Sequence, residues 1–278
     1  MTLPWDPEFA LRAPMFAPLR AVAGHFQARA WPDCARLNAV AAARATPPRN
    51  AGGQPIRFVP QASRQPAFED KYEPRIFMRG EVQMRAENWH DLFNVLVWLT
   101  FPRAKAALNR RHYEGLCAQR AAGAANRGPQ QDALTLFDEG GVIVATANPE
   151  LAALLRGHQW KALFWQRRAA LGDAMAFHVF GHALYEKALQ PFAGVTGRGV
   201  IFDCKAGFFR QSAEAQLQEL DGRLAELLAC GGKFTATREL AAVPILGIPG
   251  WCAQNTRESY YDDANYFRPP PFRTADRR

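Results

Sequence analysis

Apolar positions recur with helical spacing most clearly in the stretch that follows Asn88. One predicted helical face there collects the mainly apolar residues Trp89, Leu92, Phe93, Leu96, Val97 and Thr100. Asn88 has the short polar side chain of an N-cap, and Pro102 ends this helix or begins the next one, predicted over residues 103–122. The same reasoning predicts helices over residues 17–30, 33–45 (with Asp33 as N-cap), 149–156, 159–170, 173–189 and 212–229.

Shorter apolar runs predict strands. Residues 134–137 and 142–146 are two such runs, and the DEGG segment between them has the composition of a tight turn, so they predict a β-hairpin. A further strand is predicted over residues 199–204 and a short one over residues 56–59, within a connection rich in Pro and Gly. We therefore predict an α+β fold, mostly helical, with a small β-hairpin or a three-stranded sheet.

Length and composition place the chain among ordinary globular proteins. It has 278 residues, of which 48% are hydrophobic and 22% charged, and this excludes a disordered, collagenous or coiled-coil protein. The length predicts a single domain over residues 1–278, in which residues 1–50 form a helical hairpin appended to the rest.

The net charge changes the list of possible partners. Lys and Arg number 34 against 26 Asp and Glu, which gives a net charge of +8 and attracts polyanions at low salt. Nucleic acid is therefore an allowed partner. The arginines are scattered and form no dense block, so solubility and local ion pairs are the more ordinary explanation of the excess.

The five cysteines and the N-terminal segment bear on the compartment. No two cysteines have CxxC or zinc-ribbon spacing, so they are typical of reduced thiols. Asp6 and Glu8 lie where a signal peptide needs a basic start and an unbroken apolar run. The apolar stretches are also far shorter than the roughly 20 residues that span a bilayer. We expect a cytoplasmic protein without a membrane partner.

The first polar cluster that could carry chemistry is the NWHDLFN string at residues 88–94. A rotation of about 100° per residue places His90 and Asn94 on one flank of the predicted helix, with Asp91 just beyond them. This edge between core and solvent suits a metal ligand or a general base. The alternative is that His90 and Asn94 cap or cross-link neighbouring segments.

The second cluster follows from spacing four in AFHVFGHALYEKAL. His178, His182 and Glu186 would line one stripe of the helix predicted over residues 173–189. Two imidazoles one turn apart can bind one metal ion, and the carboxylate can add a ligand or orient one. The alternative is a buried polar network, because polar groups on a central helix need partners.

The third cluster is the predicted turn at Asp138 and Glu139. Acidic residues followed by glycines suit a tight turn on structural grounds alone. The functional alternative is that one of these carboxylates completes a cluster with His90 and His182. Imidazole and carboxylate ligands together would suit Zn, Mn or Fe. The glycine motifs of dinucleotide, nucleotide and α/β-hydrolase sites are missing from the chain.

Three strings, NWHDLFNVLVWLTFPRAKAALN, DALTLFDEGG and GHALYEKALQPFAGVTG, carry a family resemblance. With them the chain resembles an uncharacterised family of bacterial proteins, mainly proteobacterial and known only as a domain of unknown function. The resemblance covers most of the chain, roughly residues 31–249. It implies a bacterial cytosolic setting and assigns no catalytic residue.

The leading hypothesis is a metal-dependent hydrolase with a divalent ion (Zn, Mn or Fe), for which the net charge slightly favours a phosphoester or nucleic-acid substrate. The predicted metal ligands are His90, His178, His182 and Glu186. The predicted catalytic residues are Asp91, Asn94, Asp138 and Glu139. The alternative is a non-catalytic nucleic-acid- or protein-binding regulatory protein, whose aromatic tail would contact the partner through Tyr260, Tyr261, Tyr266 and Phe267.

Overall fold

The fold is described from a computed structural model, which covers residues 3–61, 67–123, 126, 128–231 and 233–270. Short 3-10 turns join the main elements. The helices are α1 (Arg20–Ala23), α2 (Cys34–Ala42), α3 (Tyr72–Arg79), α4 (Trp89–Thr100), α5 (Pro102–Ala121), α6 (Pro129–Gly140), α7 (Pro149–Arg156), α8 (His182–Leu189) and α9 (Ala213–Ala229). The strands are β1 (Arg57–Pro60), β2 (Glu81–Met84), β3 (Gly141–Thr146), β4 (Met175–Val179), β5 (Thr196–Asp203) and β6 (Ala241–Pro244).

Two sheets accompany the helices, which confirms the predicted α+β class. The larger sheet has the strand order β4-β3-β5-β6, so it is wider than the predicted hairpin or three-stranded sheet. β3 and β5 are parallel at its centre, and the outer strands run antiparallel to them. Every residue of β3 is buried, as expected for a strand covered on both faces. The smaller sheet is the parallel pair β1–β2.

Helices with their own start signals were predicted well. Asn88, Asp33, Asn148 and Ser212 accept hydrogen bonds from backbone N–H groups in the first turns of α4, α2, α7 and α9. These bonds satisfy donors that have no partner within the helix. The prediction of α5 is also confirmed, with Pro102 at its first position.

The predicted β-hairpin over residues 134–146 is wrong in its first half. Residues 134–137 belong to α6, which begins at Pro129 and continues through Asp138 and Glu139 to Gly140. Leu134 and Phe137 both face the core at helical spacing. The apolar run was too short to separate helix from strand by periodicity. The DEGG segment is therefore the last turn of a helix, followed directly by β3.

The predicted long helix over residues 173–189 is also wrong. Its first part is β4, where burial alternates along the strand and His178 lies opposite Ile143 of β3. Only the second part, from His182, is helical. Gly181 separates the two because it lies against the end of α6, where a Cβ atom would meet the Gly141 backbone N at 2.4 Å. His178 and His182 therefore do not share a helical stripe.

Two further predicted helices, over residues 17–30 and 159–170, are shorter or broken in the structure. The helix predicted over residues 17–30 shortens to α1, because Pro18 lies in a 3-10 turn and Gly24 ends the helix. Phe16 of this segment stacks on Phe93 of α4, so the first residues share the core of the helical layer. The helix predicted over residues 159–170 is broken into a π-helical turn and a 3-10 turn. α3, β2 and β6 were not predicted.

Three of the four aromatic residues predicted to contact a partner are core residues, which corrects that role for them, whereas Tyr260 is half-buried. Tyr261, Tyr266 and Phe267 are at most 6% exposed. The hydroxyl of Tyr266 donates to the Val195 carbonyl and that of Tyr261 to the Gly247 carbonyl. Among the described residues, no helix has both the length and the apolar character that crossing a membrane requires.

Candidate metal centre

Two histidines meet where α4 and α8 begin. His90 is the second residue of α4, and His182 is the first residue of α8. Their Nε2 atoms lie 3.1 Å apart, and the ring planes are inclined by 77°. His182 is 5% exposed, whereas the His90 side chain is 29% exposed, so the pair spans the boundary between core and solvent.

Glu139 completes the group from the last turn of α6. Its Oε2 atom lies 3.7 Å from Nε2 of His182. One ligand atom from each of Glu139, His90 and His182 can be chosen so that all lie within 4.8 Å of one another. Two atoms bonded at about 2.0–2.2 Å to one tetrahedral ion are separated by about 3.3–3.6 Å, so small side-chain adjustments would bring the three onto one ion. The close approach at Gly181 explains this meeting, because it joins the start of α8 to the end of α6.

The other ring nitrogens face carboxylates. Nδ1 of His90 lies 3.0 Å from Oε2 of Glu186. Nδ1 of His182 lies 3.9 Å from Oδ2 of Asp138 and has no direct hydrogen-bond partner. The second oxygen of Asp138 accepts a 2.5 Å bond from the Lys105 ammonium, whose side chain is 4% exposed. Carboxylates in this position orient metal-bound histidines through their Nδ1–H groups.

The surroundings shift the pKa values of His182, Asp138 and Glu139 in different directions. Burial, assisted by Lys105 and His90, lowers the pKa of His182 to about 4, so its ring is neutral at pH 7. Burial alone would raise the pKa of Asp138, but attraction by Lys105 and His182 outweighs it and holds that pKa below its usual value. For Glu139, burial and then the nearby Asp138 raise the pKa above its usual value, against the opposing effect of His90.

Asp91 and Asn94 lie beside the histidines in the wall of a cavity of about 350 Å³. Both oxygens of Asp91 accept from the Arg85 guanidinium, and one also accepts from the Arg85 backbone N–H. Burial alone would raise the pKa of Asp91, but these bonds with Arg85 lower it below its usual value, so the carboxylate stays charged. The same bonds fix Arg85, which lies in the segment before α4. Asn94 is 6% exposed and donates from Nδ2 to the Tyr72 hydroxyl.

The structure brings together seven of the eight residues singled out in the sequence. His90, His182 and Glu139 form the group that can hold a metal ion, and Glu186 contacts His90 on the side away from His182. His178 is the exception. It lies in β4, its Nε2 has no hydrogen-bond partner, and burial lowers its pKa to about 4. The roles of the other seven remain predictions.

Sequence reasoning missed Lys105 and the wall formed by Tyr72 and Glu73 of α3. A signal for Lys105 was present, because it shares a helical stripe with Leu108 and His112, both of which are buried. A lysine on a buried stripe needs a partner, and Asp138 supplies it. No comparable signal marked α3, whose position depends on tertiary contacts.

Fold and geometry together define an α+β protein with a candidate mononuclear metal centre built from two histidines and one carboxylate. The chain belongs to the family described as a protein of unknown function (DUF3025), whose model matches residues 56–271. This confirms the resemblance to an uncharacterised family known as a domain of unknown function. No curated protein matches the chain, and no solved structure does.

Proposed function

We propose that this protein is a metal-dependent hydrolase in which His90, His182 and Glu139 bind one divalent ion. A single observation carries the proposal: the two Nε2 atoms face each other at 3.1 Å, while each Nδ1 atom faces a carboxylate. This is the orientation that metal-binding histidines adopt. Two imidazoles and one carboxylate suit Zn, Mn or Fe and leave coordination positions open.

The side chains around the ion have separate tasks under this proposal. A divalent ion would supply Lewis acidity and activate a water molecule as nucleophile. Glu186 holds the His90 ring, and the Asp138–Lys105 pair places a carboxylate oxygen 3.9 Å from Nδ1 of His182. The half-exposed Glu139 borders the open side of the site. A cytoplasmic setting, where all five thiols stay reduced, belongs to the same proposal.

The predicted phosphoester or nucleic-acid substrate rested on net charge, and the cavity does not support it. Its wall contains the carboxylates Glu73, Asp91, Asp138 and Glu139. The arginine in the wall, Arg85, is already paired with Asp91. A phosphate group would therefore meet more negative than positive charge beyond the ion itself.

A structural polar network is the second candidate, favoured by the same short contact. One Nε2–H can donate to the other Nε2 at 3.1 Å, which satisfies both Nε2 atoms without any ion. The clusters would then hold α4, α6 and α8 together in a non-catalytic binding protein. The two candidates differ in one measurable property, the metal content.

The test is elemental metal analysis of the protein purified without chelator, alongside the variants His182→Ala and Glu139→Gln. We expect about one divalent ion per chain in the native protein and loss of most of it in both variants. His25→Ala is the matched control, because His25 is exposed and lies outside the group. Glu139→Gln covers the case in which the buried His182→Ala variant does not fold. Native protein without metal, even after incubation with Zn, Mn and Fe, would overturn the proposal.

A further inference from the structure

The cavity beside the candidate metal centre extends beyond the three proposed ligands and has its own chemistry. At about 350 Å³ it is at the small end of the range for small-molecule sites, roughly 300–1,000 Å³. Its far wall comes from α3 and α4, through Tyr72, Glu73 and Asn94. An inference about what this wall recognises rests on the proposed hydrolase and specifies its substrate.

The charged groups of the wall are unequally paired. Asp91 is paired with Arg85, and Asp138 is paired with Lys105. Glu139 is assigned to the ion. Glu73 is different, because no described residue places a cation within ion-pair distance of its carboxylate, which accepts a hydrogen bond from the neutral Asn109 side chain. Glu73 is thus an uncompensated negative charge in the cavity wall.

An independent observation points to a missing hydrogen-bond donor in the same wall. Asn94 is 6% exposed, and its Oδ1 atom has no hydrogen-bond partner although its Nδ2 donates to Tyr72. A buried amide oxygen without a partner carries a desolvation cost, so such atoms are normally satisfied by protein, water or ligand. Both residues line the cavity: Glu73 offers a carboxylate without a neighbouring cation, and Asn94 offers an amide oxygen without a donor.

We propose that the substrate of this site carries a cationic N–H donor, an alkylammonium or guanidinium group, bound between Glu73 and Asn94 with its reactive end toward His90 and His182. The positive group neutralises the charge of the Glu73 carboxylate. One of its N–H groups donates a hydrogen bond to the Oδ1 atom of Asn94. Charge-assisted hydrogen bonds of this kind are stronger than neutral ones. A carboxylate or phosphate at the same place would face Glu73 without a counter-charge.

The test is an NMR titration of the metal-loaded protein with propylguanidinium and propylamine, compared with propionate and inorganic phosphate. We expect the two cations to shift signals of α3 and α4, and to bind more tightly than either anion. Glu73→Gln should weaken propylguanidinium binding about tenfold, because it removes the charge and keeps the shape. Asn94→Asp should strengthen it, so an unfolded Glu73→Gln variant would not leave the question open.

The matched control is Glu114→Gln, an identical change on α5 where the carboxylate pairs with Arg110 outside the cavity. It should leave the dissociation constant unchanged. Equal binding to the native and Glu73→Gln proteins, or tighter binding of phosphate or propionate, would overturn the inference.

Metal content measured on the same samples separates this inference from the proposed function. A loaded protein that ignores both cations keeps the metal centre and refutes the substrate class. A protein that binds no metal but binds propylguanidinium through Glu73 refutes the hydrolase and keeps the cation subsite.

Discussion

Two largely buried carboxylates, one on α9 and one on α6, accept hydrogen bonds from the first turn of α5. They are stabilised in different ways. Asp221 of α9 accepts from the backbone N–H groups of Arg103 and Ala104, so it caps α5 in place of Phe101, which has no capping side chain. Asp138 of α6 accepts from the Lys105 ammonium on the next residue of the same turn. One carboxylate is held by dipoles and the other by a full charge.

This difference decides which carboxylate keeps its charge. Burial raises the pKa of Asp221 to about 6, and the two N–H bonds offset only part of that effect. Asp138 is subject to burial as well, but Lys105 and His182 bring its pKa below the usual value. Here the buried carboxylate that bonds to an ammonium has a lowered pKa, and the one that bonds to backbone N–H groups has a raised pKa. Asp138, the carboxylate that is paired with Lys105, is also the one beside the candidate metal centre.

The largest expected effect comes from removing the cation. Lys105→Met leaves the Asp138 charge buried without its partner, and we expect the free energy of unfolding to fall by about 3–5 kcal/mol. Urea denaturation at pH 7 measures this. The double variant Lys105→Met, Asp138→Asn removes both charges and should be more stable than the single variant by about 2 kcal/mol. A single variant within 1 kcal/mol of the native protein would show that Asp138 does not depend on Lys105.

The next effect concerns Asp221 and depends on pH. Because the folded pKa of about 6 lies above the usual value of 3.8, the folded state keeps its proton where the unfolded state has lost it. Stability from this group is therefore full below about pH 4 and is lost as the pH rises to about 6, by up to about 3 kcal/mol. We expect urea denaturation to show that, between about pH 4 and pH 6, the free energy of unfolding of the native protein falls by about 3 kcal/mol relative to that of Asp221→Asn.

The control for Asp221 is Asp173→Asn, the same change at an exposed position. Its stability relative to the native protein should not change between pH 4 and 6. A flat difference for Asp221→Asn as well would mean that the two backbone N–H groups stabilise its charge as effectively as Lys105 stabilises that of Asp138.

The smallest effect on stability is expected at an exposed carboxylate of the site. Glu186 is 47% exposed, so Glu186→Gln should change the free energy of unfolding by less than about 0.5 kcal/mol. It should nevertheless weaken metal binding about 10–100-fold, because it alters the group that orients His90. Competition with a chelator measures the affinity, and Glu150→Gln on the surface of α7 is the control. Unchanged metal affinity would remove Glu186 from the site.

Local signals account for what sequence reasoning predicted correctly. Helices α2, α4, α7 and α9 each begin after a side chain that caps its own first turn, so a few neighbouring residues decide where they start. Residues 134–137 and 173–181 lack such a signal. Their conformation depends on pairing with β3 and packing against α8, which are contacts between residues far apart in sequence.

The residues of the candidate site likewise fall into those that the sequence indicated and those that only tertiary contacts reveal. Residue type together with position singled out His90, His182 and Glu139: one on the flank of a predicted helix, one at spacing four from other polar groups and one in a predicted turn. The spacing argument for His178 failed because β4 ends before α8 begins. Only the tertiary structure shows why Lys105 and Glu73 matter. Lys105 pairs with Asp138, and Glu73 lines the cavity.

The sequence by itself thus determined the α+β class, the capped helices and the set of polar residues from which a site can be built. Only the tertiary structure decided which of these residues meet and which nitrogen of each histidine faces which partner. The physical reason is distance along the chain. A cap acts within one turn, whereas the meeting of residues 90, 139 and 182 depends on the packing of three helices, made possible where Gly181 allows two backbones to touch.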